Sequence, residues 1–407
     1  MRLEAETLAD LDVAPSASAT EVEILLRGAR GALAVVPWPG LRFFRSRPVA
    51  DGWLTVLRFA DPVAVAPVVT ELARQAGPDL PFTPVGFLTS ATDPVVDLAA
   101  LESLAPAALR SLLGVRVAAT DPPEAVLALA ATGVPLVGAA PGPLGPLVTP
   151  DVDLADPLAR EEHSLVVRRA ALDLVLAPAR PSVSILLATR RPEMLEHALA
   201  QVARQRGVAS LELVLAPHGF TPPAVDLDLP VTVLPQSADT LFGDVLEAAR
   251  LAASGDVVLK VDDDDWYAPD VVADLLRARV YARADLVGMP AEFHYLTEQD
   301  LTVRRGHTSE HYASFVAGGT MMVDRDVLAE VGGFRSVRRY VDAQLLSAVA
   351  AAGGTTYRTH GLGYVLRRNP SGHTWQADLD YLLDPARVAE VRPGFAPSRL
   401  LELSSAD

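Results

Sequence analysis

Four consecutive aspartates, Asp262-Asp263-Asp264-Asp265, followed by Trp266, are the densest chemical signal in the chain. They end DVVLKV (256–261), an apolar run of strand character. Adjacent carboxylates raise one another's pKa and call for a counter-charge. In extended chain Asp262 and Asp264 would share one side, Asp263 and Asp265 the other. A carboxylate pair at i, i+2 suits a hard cation, Mg²⁺ or Mn²⁺, with substrate diphosphate oxygens completing its shell. The plainer reading is a solvated acidic turn, or caps for a helix opening at Pro269-Asp270.

Other residues carry weaker signals, each with a plain alternative. Thr189-Arg190-Arg191-Pro192 follows the apolar run 182–188. Its guanidiniums could face phosphate or base, or simply be solvated at a helix entrance. Gly318-Gly319-Thr320 and Gly332-Gly333-Phe334 would let backbone approach a ligand, or make turns. Asp342, in RRYVDAQLL, is a site carboxylate or a helix N-cap. Arg367 and Arg368 close the run 364–368, and GHTW with His373 follows, a ligand or a structural histidine.

The elements that must position these residues read as alternating strands and helices. From residue 182 onward strands fall at 182–188, 211–216, 231–234 and 256–261. Helices run from Pro192 to about Gln205 and over 240–253. This predicts a doubly wound, mostly parallel α/β sheet, whose ligands bind at the carboxyl ends of its strands. Upstream, strands are predicted at 53–59, 115–119 and VPLVG (134–138). Helices are predicted from Asp61-Pro62 to residue 76 and from Thr120-Asp121-Pro122 to Gly133. The first 30 residues offer few signals. A charged helix spans 156–175, and the Pro-rich 177–181 is the expected domain boundary. The expected organisation is an N-terminal α/β domain over 1–176, a second domain over 181–385 and a C-terminal tail over 386–407.

Composition narrows the function classes. The 407 residues carry a net charge of −16, which disfavours nucleic acid and anionic membrane surfaces as partners. Cysteine is absent, so thiolate catalysis, disulfides and zinc–thiolate sites are excluded. Neither a signal peptide nor a transmembrane segment is predicted, and a cytoplasmic protein is expected. There is one lysine, Lys260, against 34 arginines, which reads as the codon bias of a GC-rich genome.

Taken in order, SILLATRRPEMLEHALAQVARQ, LELVLA, SGDVVLKVDDDDWYAPD and GGTMMVDRDVLAEVGGF resemble the family 2 glycosyltransferases of GT-A fold, over about 181–383. The resemblance implies a metal-dependent enzyme moving a sugar from a nucleoside diphosphate to an acceptor hydroxyl, with inversion. It places Thr189, Arg190, Arg191, Asp262, Asp263, Gly319 and Arg368 at the nucleotide-sugar. Asp264, Asp262 and His373 fall at the metal, and Asp342 becomes the general base, with Val341 where the family has Glu. The acid that commonly follows the family's second strand is missing from Ala216-Pro217-His218-Gly219, and Glu247 replaces a usual Asn. The donor base therefore stays open. So does the acceptor: a glycan, a lipid-linked molecule or a small molecule. The competing classes are a degenerate glycosyltransferase that only binds a glycan or partner, and a sugar-phosphate nucleotidyltransferase. The latter lacks its Gly-rich basic loop here.

Overall fold

The computed structural model describes residues 1–6, 10–27, 38–49, 52–75, 93–101, 109, 111–148, 152–175, 181–369 and 379–402. His373 and most of the Pro-rich stretch at 177–181 lie outside them.

The N-terminal region contains two small sheets. The first has β1 (Arg2–Ala5), β2 (Ser18–Leu26), β3 (Leu41–Val49) and β4 (Gly52–Ala64) in the order β1-β2-β4-β3, with α1 (Val65–Gln75) packed on it. Two strands thus lie in the stretch where few signals were expected. The helix expected from Asp61-Pro62 starts only at Val65, because β4 continues through them: Ala64 pairs with Ser18 and Val63 with Ala19. Cross-strand pairing here overrides a local Asp-Pro start signal. The second sheet has β5 (Asp93–Asp97), β6 (Leu112–Val117) and β7 (Leu136–Gly138), all parallel. Between β6 and β7 runs α2 (Pro123–Thr132), which stops at Gly133 with φ 86°, the left-handed cap that glycine takes without strain.

Helix α3 (Pro157–Val175) ties this region to the rest through buried charge. Arg168 Nη2 meets Glu310 Oε1 at 2.5 Å, and the hydroxyls of Tyr281, Tyr357 and Thr359 donate to the same carboxylate. Arg304 bridges Glu161 (2.6 Å) and Glu292 (3.0 Å). Arg169 meets Asp274 at 2.6 Å, and His360 Nε2 lies 2.9 Å from that carboxylate. Burial, then Glu292, push the Glu161 carboxyl up to about 7.

The main sheet is built from β8 (Val183–Thr189), β9 (Leu211–Pro217), β10 (Val231–Val233) and β11 (Val257–Val261), all parallel. It is joined by β13 (Leu286–Gly288), β16 (His311–Tyr312), β17 (Met322–Asp324) and β18 (Thr356–Arg358). The order is β10-β9-β8-β11-β17-β13-β18-β16, with β17 antiparallel to both neighbours. This is the doubly wound, mostly parallel α/β fold that the alternation predicts. All seven residues of β8 are buried, as expected for a strand covered on both faces. Residues alternate strictly between two cores. Val183, Ile185, Leu187, Val257, Leu259 and Val261 face one, and Leu186, Ala188 and Val258 the other. Helices α4 (Leu195–Ala203) and α6 (Val271–Ala282) cover the first face. Helices α5 (Phe242–Ala252), α7 (Arg325–Glu330) and α8 (Val341–Ala351) cover the second.

A smaller sheet continues the first core: β12 (Trp266–Tyr267), β19 (Tyr364–Arg368), β14 (Phe293–Leu296), β15 (Leu301–Arg304) and β20 (Glu390–Pro393). The short α9 (Leu379–Leu382) packs at its edge. The segment set apart as a C-terminal tail thus supplies β20, and its Leu400 and Leu401 enter the first core.

Candidate functional site

Thr189 ends β8, His218 follows β9 and Asp262 follows β11, so all three sit at the carboxyl edge of the parallel strands. The backbone N–H of Lys260 donates to Met321 O (3.0 Å), which brings the Gly318-Gly319 turn over the same edge. Helix α8 begins there too, with Asp342 in its first turn.

The alternation expected of the four aspartates does not hold. Strand β11 stops at Val261 and the chain bends over 263–265, so Asp263 and Asp264 share one partner instead of facing apart. That partner is Arg191. It binds Asp263 through Nη2 and through Nε (3.2 Å), and Asp264 Oδ2 through Nη1 (2.7 Å). Thr189 Oγ1 also donates to Asp263. Burial lifts the Asp263 carboxyl above its ordinary range, and Arg191 and Thr189 offset only part of that. Asp265 turns inward, where Tyr364 OH and the backbone N–H of Arg367 (2.9 Å) donate to it. Burial, then Asp264 and Asp262, push it well above the carboxylate range, as suits a structural acid.

Asp262 has a different partner. Its Oδ1 takes the ammonium of Lys260 at 2.7 Å, and the same Nζ lies 3.2 Å from Asp342 Oδ1 and 3.2 Å from Gly318 O. Burial opposes the charge on Lys260, but Asp262 and Asp342 outweigh it and hold the ammonium above the ordinary lysine range. Burial raises Asp342, Lys260 works against that, and Asp262 adds to it. The Asp342 side chain is 38% exposed, while its Oδ1 is buried on the Lys260 side. The N-cap of α8 is Tyr340, at φ 63°, so Asp342 does not serve as the cap. A Cβ on Gly318 would sit 2.1 Å from Asp342 Oδ2, so a side chain there would displace the carboxylate.

The remaining candidates divide. Gly319 lies in this cluster: an added Cβ would come 2.6 Å from Tyr267 OH and 3.0 Å from Asp262 Oδ2. Arg190 points away from the aspartates. Its Nε donates to His218 Nδ1 (2.9 Å) and its Nη2 to Ala238 O (2.6 Å). Burial and then Arg190 pull His218 below the usual histidine range. On β19, Arg367 rather than Arg368 faces the aspartates, because the two alternate across the strand. The Arg367 guanidinium lies 3.9 Å from the ring centroid of Trp266, with Asp264 and Asp265 in its field. Arg368 instead influences His294 on the other face.

Sequence reasoning also missed Lys260, because its partner Asp342 is 82 positions away. It missed the role of Glu247 as well. That residue accepts the backbone N–H of Phe334 (3.0 Å) and pairs with Arg250 (2.6 Å), so it anchors the Gly332-Gly333-Phe334 turn. Among the described residues no three His, Asp or Glu side chains come together as a metal-holding group. Asp262 and Asp264 still supply the hard oxygen donors that Mg²⁺ or Mn²⁺ takes alongside substrate phosphates. Among the described residues no helix is long and apolar enough to cross a membrane.

No family model and no curated protein matches the chain. Solved structures do. One is the mannosyltransferase PcManGT from Pyrobaculum calidifontis in complex with GDP-Man and Mn²⁺. It shows 15% identity and a TM-score of 0.39 over 51% of this chain and 68% of that one. Another is S. aureus TarS 1–349 in complex with UDP-GlcNAc, at 15% identity and a TM-score of 0.38 over 49% and 62%. A further crystal structure of S. aureus TarS matches over 46% of this chain and 37% of that one. The similarity covers about half of the present chain.

Proposed function

We propose that this chain is a glycosyltransferase that moves a sugar from a nucleoside diphosphate to an acceptor hydroxyl, with inversion. The observation that carries the reading is the meeting of Thr189, Arg191, Asp262–Asp264, Gly318-Gly319 and Asp342 at one carboxyl edge. Ligands of doubly wound sheets bind at that edge.

Asp264, with Asp262, would hold Mg²⁺ or Mn²⁺, and the cation when bound would neutralise charge on the departing diphosphate. Asp263 and Asp262 would orient the ribose. Arg191, already among these carboxylates, and Arg367 would present guanidiniums to the phosphates. Thr189 holds Asp263 in place through its hydroxyl. Gly319 admits the donor backbone-close. Asp342 would take the proton of the incoming hydroxyl on the side opposite the diphosphate. The second reading, a degenerate module that binds without turnover, is favoured by one observation: Arg191 and Lys260 already neutralise part of the carboxylate cluster.

The two readings separate on one experiment. UDP- and GDP-sugars are screened with Mn²⁺ for thermal stabilisation and for donor hydrolysis. A transferase shows both, and both disappear in EDTA. Stabilisation without hydrolysis identifies the binding module, and neither response rejects both readings.

A further inference from the structure

Lys260 stands where the sheet calls for an apolar residue. Along β11, Val257, Leu259 and Val261 face the first core and Val258 the second, so position 260 belongs to the second core by alternation. That core is capped by α8 through Val341, Leu345, Leu346 and Val349. Lys260 is 2% exposed on this face. Its ammonium emerges between the end of β11 and the start of α8, within 2.7 Å of Asp262, 3.2 Å of Asp342 and 3.2 Å of the Gly318 carbonyl. A buried charge is tolerated only when paired and hydrogen-bonded. All three partners belong to functional segments, and they reach the lysine from three different parts of the chain.

We propose that Lys260 is a positioning residue that couples the donor-binding aspartates to the candidate base. Its ammonium holds the Asp342 carboxylate beside Asp262 against their mutual repulsion and fixes the Gly318 carbonyl below them. A donor that engages Asp262 alters what Lys260 offers to Asp342, so the base is set in place when the donor is. Without the ammonium, Asp262 loses a competing cation while Asp342 loses its anchor. Metal–nucleotide binding and turnover then move apart, which loss of structure alone would not produce. The proposal rests on the glycosyltransfer reading for its consequence, but not for its geometry.

The test uses the fact that the chain has one lysine. The 407-residue chain grown with lysine labelled at Cε gives a single side-chain resonance. Asp262→Asn and Asp342→Asn are each expected to shift it, and so is UDP or GDP added with Mg²⁺. Lys260→Met is expected to keep Mg²⁺–nucleotide affinity within about threefold, or to tighten it. The same variant should lower metal-dependent hydrolysis of UDP- or GDP-sugars by about a hundredfold, and Lys260→Arg should recover part of that loss. If Lys260→Met is too unstable to assay, Lys260→Met/Asp342→Asn removes the stranded carboxylate and should melt above the single variant. The proposal is overturned if Asp342→Asn leaves the resonance in place. It is also overturned if Lys260→Met loses affinity and turnover in equal proportion, or if the double variant recovers nothing. If neither nucleotide binds the unaltered protein, the glycosyltransfer reading fails, and the resonance shifts with the two Asn variants still decide where Lys260 acts.

Discussion

Among the described residues, the buried charges beneath helix α3 and those at the carboxyl edge are built differently. Beneath helix α3 every buried carboxylate named has an arginine partner: Arg168 with Glu310, Arg169 with Asp274, and Arg304 between Glu161 and Glu292. Tyrosine and threonine hydroxyls fill the remaining lone pairs of Glu310. At the carboxyl edge, Asp263 and Asp264 pair with Arg191, and Asp262 and Asp342 share Lys260. The first cluster holds two regions together. The second has more carboxylates than paired cations, the state that the proposed binding of a cation and a diphosphate calls for. Burial alone does not tell architecture from chemistry; charge balance does.

The contrast can be broken by substitution, and the largest effect is expected at Asp264. Asp264→Asn should abolish metal-dependent nucleotide binding, measured by calorimetry, while the melting temperature stays near that of the parent. Full donor turnover in EDTA would remove the metal from the scheme altogether. Next in size is Asp342→Asn, expected to lower kcat by about 10²–10⁴-fold with donor affinity kept. Since Tyr340 is the N-cap of α8, a capping role cannot mimic this result. A product of retained anomeric configuration, read by NMR, would show that Asp342 has another task.

The matched cluster should respond in the opposite currency. Arg168→Met strands Glu310 in the interior and is expected to cost about 3–5 kcal/mol of stability in urea unfolding. Nucleotide affinity should be unchanged; a large loss of it would mean the two clusters are not separate. The boundary we propose near 176–181 sharpens the same point. A chain starting at 181 strands Glu310 and takes Arg169 from Asp274 and Glu161 from Arg304, whereas one starting at 152 keeps all three partners on α3. The shorter chain should therefore unfold at markedly lower urea.

The smallest effect concerns pH. Glu161 is raised by burial and by Glu292 to about 7 in the fold, above its unfolded value. The folded state therefore holds the proton more tightly, and this contribution is complete below about pH 4.5. It is lost as pH climbs through 7. Melting temperature should drift down by a few degrees over that window, and Glu161→Gln should flatten the drift. An unchanged slope in the variant would assign the drift elsewhere.

Much of this arrangement was readable before the fold. The apolar runs that became β8, β9 and β11 and the aspartates at the end of β11 are local patterns, set by burial on both faces. The N-cap alternative for Asp342 was equally local, and the fold places Tyr340 in that position. What could not be read depends on geometry across the chain. Lys260 looked like codon bias because Asp342 comes near only when α8 packs on β11. The choice of Arg367 over Arg368 is a question of strand phase, fixed by pairing with β14. The helix expected at Asp61-Pro62 gave way to β4 because β2, unrecognised in the sequence, pairs with it. The side-to-side alternation of the aspartates failed because the chain bends one residue after Asp262.

The lone lysine has a consequence of another kind. With its ε-amine enclosed between β11 and α8, the described surface offers acylating reagents no lysine at all. Acetylation or succinylation of Lys260 can then proceed only during excursions that separate the strand from the helix. The rate at which a small anhydride marks that one position measures how often the centre of the protein comes apart, and a bound nucleotide that holds it closed would slow the clock.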